Sequence, residues 1–111
     1  MGWLYPQYVI GQVFKGDKEL DKLCKKSEGI IVKVVGKANG EVTYFMAWDG
    51  SKEGWETSNI YDDIREKFIE RLLKIEAHWF KIDDDYEQGN TVNLTTYKSR
   101  KSKLVSPLGN F

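Results

Sequence analysis

Asp49, Ser51 and Glu53 set three oxygen-bearing side chains at alternate positions of the run Asp49-Gly50-Ser51-Lys52-Glu53-Gly54, with glycine sixth. That is the opening of a calcium loop, in which carboxylates and hydroxyls ring a hard cation. The twelfth position should be a bidentate glutamate and is Ile60. An apolar strand pattern, not a helix, leads into the run. A glycine-assisted polar turn is therefore the better reading. A second acidic cluster, Asp83, Asp84, Asp85 and Glu87, has the same donors. It reads as a polar hairpin turn over Asp83 to Asn90 that discourages edge pairing. No metal or other cofactor is expected.

The remaining reactive groups are sparse. His78 is the only histidine and Cys24 the only cysteine. That excludes an intramolecular disulfide, a His-pair metal site and a two-histidine mechanism. A Cys24–His78 nucleophile pair has no local signature to support it. Cys24 instead sits on an apolar helix face, as a small core residue does. Gly36 and Gly40 bracket a hairpin and open no helix, so no phosphate loop is present. The residues point away from an enzyme.

Two segments are candidates for binding. The first is the loop Trp48 to Asn59, with Asp49, Ser51, Lys52, Glu53 and Trp55 as its contact residues. Trp55 either anchors the loop on the core or meets a partner, where Trp is a preferred hot-spot residue. The anchor reading is slightly favoured. The second is the basic stretch carrying Lys98, Arg100, Lys101 and Lys103, which has the charge to neutralise phosphates. Tyr44, Phe45 and Trp48 would be the base-stacking aromatics of such a nucleic-acid binder. The strand that holds them lacks the basic–Gly–aromatic pattern of the RNA-recognition motif.

The whole chain limits these readings. Its 111 residues make one domain with a modest core, and 41% apolar with 31% charged residues is a globular composition. Formal charge is zero, which disfavours a dedicated nucleic-acid binder. The charge is uneven: residues 1–48 carry net +2, residues 49–97 net −6, and residues 98–111 net +4. No signal-peptide pattern opens the chain, and no apolar run approaches the roughly 20 residues of a membrane span. With a lone cysteine, a cytoplasmic location is expected.

The elements that position these residues follow from periodicity. Residues 8–14 read as a strand. Lys18 to Lys26 reads as a short helix presenting Leu20, Leu23 and Cys24, capped by Asp17 and stopped at Gly29. Strands 30–36 and 41–48 flank a turn at Asn39-Gly40, a pair suited to positive φ. Strand 41–48 is apolar on both faces and is expected in the sheet interior, covered on both sides. Its outer cover would come from a partner or from Trp3-Leu4-Tyr5.

Ile60, Ile64, Phe68 and Leu72 mark a helix over 60–73, widened by Ile69 and Leu73. Ser58 or Asn59 is its expected N-cap, and Arg65, Lys67 and Arg71 belong to its solvated face. Strands follow at 77–82 and 91–97. The order β-α-β-β-α-β-β predicts an α+β two-layer sandwich, an antiparallel sheet with two helices on one face, in ferredoxin-like order plus one strand. The alternative is an SH3-like small barrel with an appended helix. Residues 1–97 form the domain and 98–111 a basic tail.

Over Trp48 to Leu72 the sequence resembles small uncharacterised bacteriophage accessory proteins. These carry an Asp-Gly-Ser-Lys-Glu-Gly-Trp loop followed by a helix. The matching positions are Asp49 to Trp55, Ser58, Asp63, Arg65, Phe68 and Ile69, with a weaker match from His78 to Ile82. The resemblance covers roughly residues 42–82. It implies a viral origin and host cytoplasm, and it assigns no activity. The expected function is non-enzymatic binding to a host or viral protein or to a second copy. Nucleic-acid binding through the tail is the alternative, and a small metal-dependent enzyme the least favoured reading.

Overall fold

Alternation of Val9, Gly11 and Val13 with Ile10 and Gln12 makes a strand whose two faces meet different surroundings. This strand, β1 (Gln7–Phe14), is the centre of the sheet. The computed structural model describes residues 4–85 and 91–98, with side chains over 4–83. The further elements are α1 (Lys18–Lys26), β2 (Ile31–Val35), β3 (Glu41–Met46), α2 (Glu56–Lys74), β4 (His78–Asp85) and β5 (Thr91–Lys98). The strands form one sheet in the order β2-β3-β1-β4-β5, and every neighbouring pair is antiparallel. This is the ferredoxin-like arrangement with β5 added beside β4. The sheet is open, which removes the barrel alternative.

The register assigns each side chain to a face. Val9, Gly11 and Val13 lie opposite Met46, Tyr44 and Val42, and Gly11 also lies opposite Trp79. These face the helices and build the core with Ile31 of β2, Leu20 of α1, and Ile64, Phe68 and Leu72 of α2. Gly11 sets how closely α2 approaches. A Cβ there would stand 2.7 Å from Leu72 Cδ2.

Local chemistry explains the element ends. Asp17 is extended and accepts from the Leu20 backbone N–H at 3.0 Å, the N-cap bond of α1. Past Ser27, Glu28 and Gly29 take φ of +53° and +100°, which ends the helix. Asn39 and Gly40 both have positive φ, 57° and 67°, and turn β2 into β3.

Several sequence expectations need correction. α2 begins four residues before Ile60, with Trp55 in the N-cap position and no side-chain bond to the helix end. Ile60 is about half exposed, as is Leu73, so neither belongs to the buried stripe of Ile64, Phe68 and Leu72. Arg65 is buried, not solvated. Asp83 to Asp85 extend β4 instead of forming the turn. β5 runs through Lys98, one residue past the expected domain end. Only one side of β3 is covered by a described element. Residues 86–90, Trp3 and the tail from Ser99 lie outside the described residues.

Candidate interaction surface

The helix-free face of the sheet is built by the side chains that alternate with the core. Val32 of β2 lies opposite Phe45 of β3, Phe45 opposite Ile10 of β1, and Ile10 opposite Phe80 of β4. This apolar row crosses four strands. Tyr8, opposite Ile82, extends it, and its ring stacks on Phe45 with centroids 6.4 Å apart and planes at 16°. The His78 ring lies 4.9 Å from that of Phe80. Phe14 and Val34 complete the surface at 60% and 54% exposure. Strands β1 to β4 place Gln12, Thr43, His78 and, opposite Phe14, Glu41 among these apolar groups and no lysine or arginine.

No described element packs on this face, whereas both helices pack on the other. β-branched and aromatic residues favour a pleated sheet surface, which accounts for the strands themselves. Tyr8, Ile10, Phe45 and Phe80 are half-buried in this row, while Val32, Val34 and Phe14 are exposed at its margins. An apolar surface of this kind is where an occupant is looked for.

The loop before α2 is held mostly by its own polar groups. The Asp49 carboxylate accepts from both the hydroxyl and the backbone N–H of Ser51, the latter at 3.3 Å. Ser51 is buried. The Glu53 carboxylate accepts from the Ser58 hydroxyl at 3.2 Å. Asp49, Ser51 and Glu53 thus shape the loop, and the outward groups are Lys52 and Trp55. Trp55 is 52% exposed, against the anchor reading. Among the described residues, no three His, Cys, Asp or Glu side chains converge as a metal site requires.

Of the three aromatics proposed for base stacking, only Phe45 lies on the open face. Tyr44 is buried on the helix side. Its hydroxyl donates to Asp21 Oδ1 at 2.8 Å and accepts from the Asp17 backbone N–H at 2.9 Å. Burial, with the Asp21 carboxylate beside it, pushes the phenol pKa far up. Trp48 falls past the end of β3 and is half-buried. Tyr8 and Phe80, which lie with Phe45 on the open face, were missed. The signal was the period-two alternation of their strands, which becomes a shared face only once the register is known.

Cys24 and His78 are on opposite sides of the sheet. Cys24 packs against the core from α1, while His78 lies with Phe80 on the open face. Burial raises the Cys24 thiol pKa, and the Asp21 charge adds to this, the reverse of what a nucleophile needs.

Between α1 and α2 lies a shallow groove of about 320 Å³, lined by Lys22, Lys26, Lys67, Arg71 and Lys74 with Glu19 and Glu70. Three of its cations already hold carboxylates: Lys22 with Glu19, Lys67 with Asp63 and Arg71 with Asp17. It is a surface of exchanged ion pairs more than an anion site.

The chain has no match among family models, curated proteins or solved structures. Among the described residues no helix is long and apolar enough to cross a membrane.

Proposed function

We propose that this chain is a non-enzymatic interaction protein that binds another protein through the helix-free face of its sheet. The observation that supports this reading is the row Val32, Phe45, Ile10 and Phe80, which crosses four strands with no described element over it. Aromatic and branched apolar groups in one row, with the polar row Thr43, Gln12 and His78 beside it, have the mixed composition of a protein interface. Lys52 and Trp55 offer a second contact at the start of α2. Following the resemblance of the loop and helix, the protein is phage-encoded and its target a host or viral protein in the host cytoplasm.

The second reading is single-stranded nucleic acid. Tyr8 and Phe45 on the adjacent central strands favour it, since stacked rings on a sheet are how RNA-recognition folds hold bases. Against it, strands β1 to β4 present no lysine or arginine on that face and Lys15, whose ammonium lies 5.2 Å from the centre of the Phe14 ring, stands at its margin, so most of the phosphate charge would fall to Lys98, Arg100, Lys101 and Lys103.

The test compares capture of host components by the full chain, by Phe45→Thr, and by the tail variant with these four cations changed to alanine. A nuclease-resistant protein partner lost with Phe45→Thr, at unchanged melting temperature, and kept by the tail variant supports the proposal. Capture abolished by nuclease or by the tail variant supports the second reading. Capture of a protein that Phe45→Thr does not affect overturns the assignment of the face.

A further inference from the structure

Beyond the open face, one edge of the sheet has its own recognition geometry. β2 is an outermost strand, paired only with β3. The Gly36 N–H donates to the Glu41 carbonyl at 2.7 Å, and the Ala47 N–H donates to the Ile30 carbonyl at 3.0 Å. Between these two bonds the register runs unbroken. Hydrogen-bonded pairs alternate in an antiparallel ladder. Ile30, Val32, Val34 and Gly36 therefore turn their backbone groups toward β3, and Ile31, Lys33 and Val35 turn theirs outward. The Ile31 N–H confirms the parity, because it bonds away from the sheet to Ser27 Oγ at 2.9 Å. The N–H and C=O groups of Lys33 and Val35 have no partner among the described residues.

Among the described residues the usual protections of an edge are missing. β2 has no proline and no bulge. Its one charge, Lys33, points to the helix side and is held by Asp21 Oδ1 at 3.0 Å. What the edge presents is valine, with Val32 47% and Val35 67% exposed, and Val34 between them.

We infer that β2 pairs antiparallel with β2 of a second copy across a two-fold axis at Val34, giving a continuous sheet through two molecules. This register sets Lys33 of each copy opposite Val35 of the other, so the N–H and C=O groups of both residues on each strand are used. It needs nothing from the Ile31 N–H, which Ser27 already occupies. A register centred on Lys33 would require that group and would place two ammonium groups face to face. Centred on Val34, the two Val34 side chains meet on the open face, as closely spaced residues of a non-hydrogen-bonded pair do. A second copy also satisfies the self-complementarity that a two-fold interface demands.

The full chain, in a Cys24→Ser background, is tested by sedimentation equilibrium and by cross-linking. Wild type should show a monomer–dimer equilibrium, and Val34→Lys should weaken it tenfold or more with an unchanged circular dichroism spectrum. Val34→Cys should form a disulfide dimer under mild oxidation, since residues facing across the axis fall within disulfide range. Val32→Cys, opposite Gly36 of the other copy, should cross-link at least tenfold more slowly. A monomer at all concentrations, equal cross-linking of the two variants, or a dimer broken by Phe80→Lys but not by Val34→Lys would overturn the inference. Phe45→Thr leaves this edge intact. Loss of partner capture by that variant with dimerisation retained separates this proposal from the one made for the open face.

Discussion

The Arg71 guanidinium of α2 grips the Asp17 carboxylate with two hydrogen bonds, Nε to Oδ2 at 2.9 Å and Nη2 to Oδ1 at 2.8 Å. The same carboxylate caps α1. One residue thus closes the start of one helix and fastens it to the other. The Arg71 hydrogen bonds hold the Asp17 pKa below its ordinary value, and burial only partly opposes them. The folded state therefore binds the Asp17 proton less tightly than the unfolded state does. Its stabilising contribution is complete above the unfolded carboxylate pKa of about 4 and is lost as pH falls through the lower folded value. Asp17→Asn should flatten the acid limb of a stability–pH profile while retaining most of the cap. Asp17→Ala should remove the cap as well, at a further cost of about 1 kcal/mol. Urea denaturation between pH 2 and 7 measures both.

Phe68 is fully buried at the centre of the helix-to-sheet contact. Phe68→Ala should cost about 3–5 kcal/mol. Glu70→Ala, on the exposed side of α2, should change stability by less than about 0.5 kcal/mol. Chemical denaturation midpoints of the two variants make the comparison.

Arg65 is 5% exposed and bonds Asp62 through Nη1 at 2.8 Å, while its Nε is buried with no partner among the described residues. A buried charge carries a desolvation cost that one ion pair does not fully repay. Arg65→Met keeps the aliphatic bulk and removes the charge. Its melting temperature should equal or exceed that of wild type. A drop equivalent to more than about 2 kcal/mol would show that the pair is net stabilising.

Trp55 occupies the N-cap position in extended geometry, with φ −78° and ψ 154°, yet makes no capping bond. Trp55→Asp should supply one and raise stability by about 1 kcal/mol. The same substitution should reduce partner capture if the exposed indole is a contact. Thermal melting and capture, measured on the same preparation, read the two effects separately.

Gly40 has φ +67°, and a Cβ there would meet Phe14 Cε1 at 2.9 Å. Gly40→Val should destabilise by more than about 1 kcal/mol, because a β-branched residue resists that conformation. Asn39→Gly, at the neighbouring positive φ, should be nearly neutral. Parallel thermal denaturation of the two variants tests the turn.

Element order was legible in the sequence because local signals agreed. Asp17 before the α1 pattern and Asn39-Gly40 between two apolar runs have local physical meanings, and both operate as read. Arg65 was not legible. Helical periodicity sees charge and angle, and whether a guanidinium at the margin of the apolar stripe is covered depends on tertiary packing. The start of α2 was hidden for a related reason: Glu56 to Asn59 contain no apolar residue to extend the stripe, so the pattern began at Ile60. The loop chemistry was half legible. Asp49, Ser51 and Glu53 were chosen for their oxygens, but those oxygens are spent on Ser51 and Ser58. The open face required the register, since Tyr8, Phe45 and Phe80 are remote in sequence and become neighbours only through β1.

The central position of β1 carries a consequence for the order of assembly. Gly11 lies opposite Tyr44 on one side and Trp79 on the other, so neither ladder of this strand is made by a sequence neighbour. The β2–β3 hairpin can form locally, but closing the sheet around β1 needs long loops to close first. Folding should be slow for a chain of this size, limited by non-local pairing. On a ribosome, β1, α1, β2 and β3 emerge before the partner for the second side of β1. Until β4 arrives, that side is an unpaired edge of Val9, Ile10 and Val13, and the nascent chain is most exposed to aggregation during that interval.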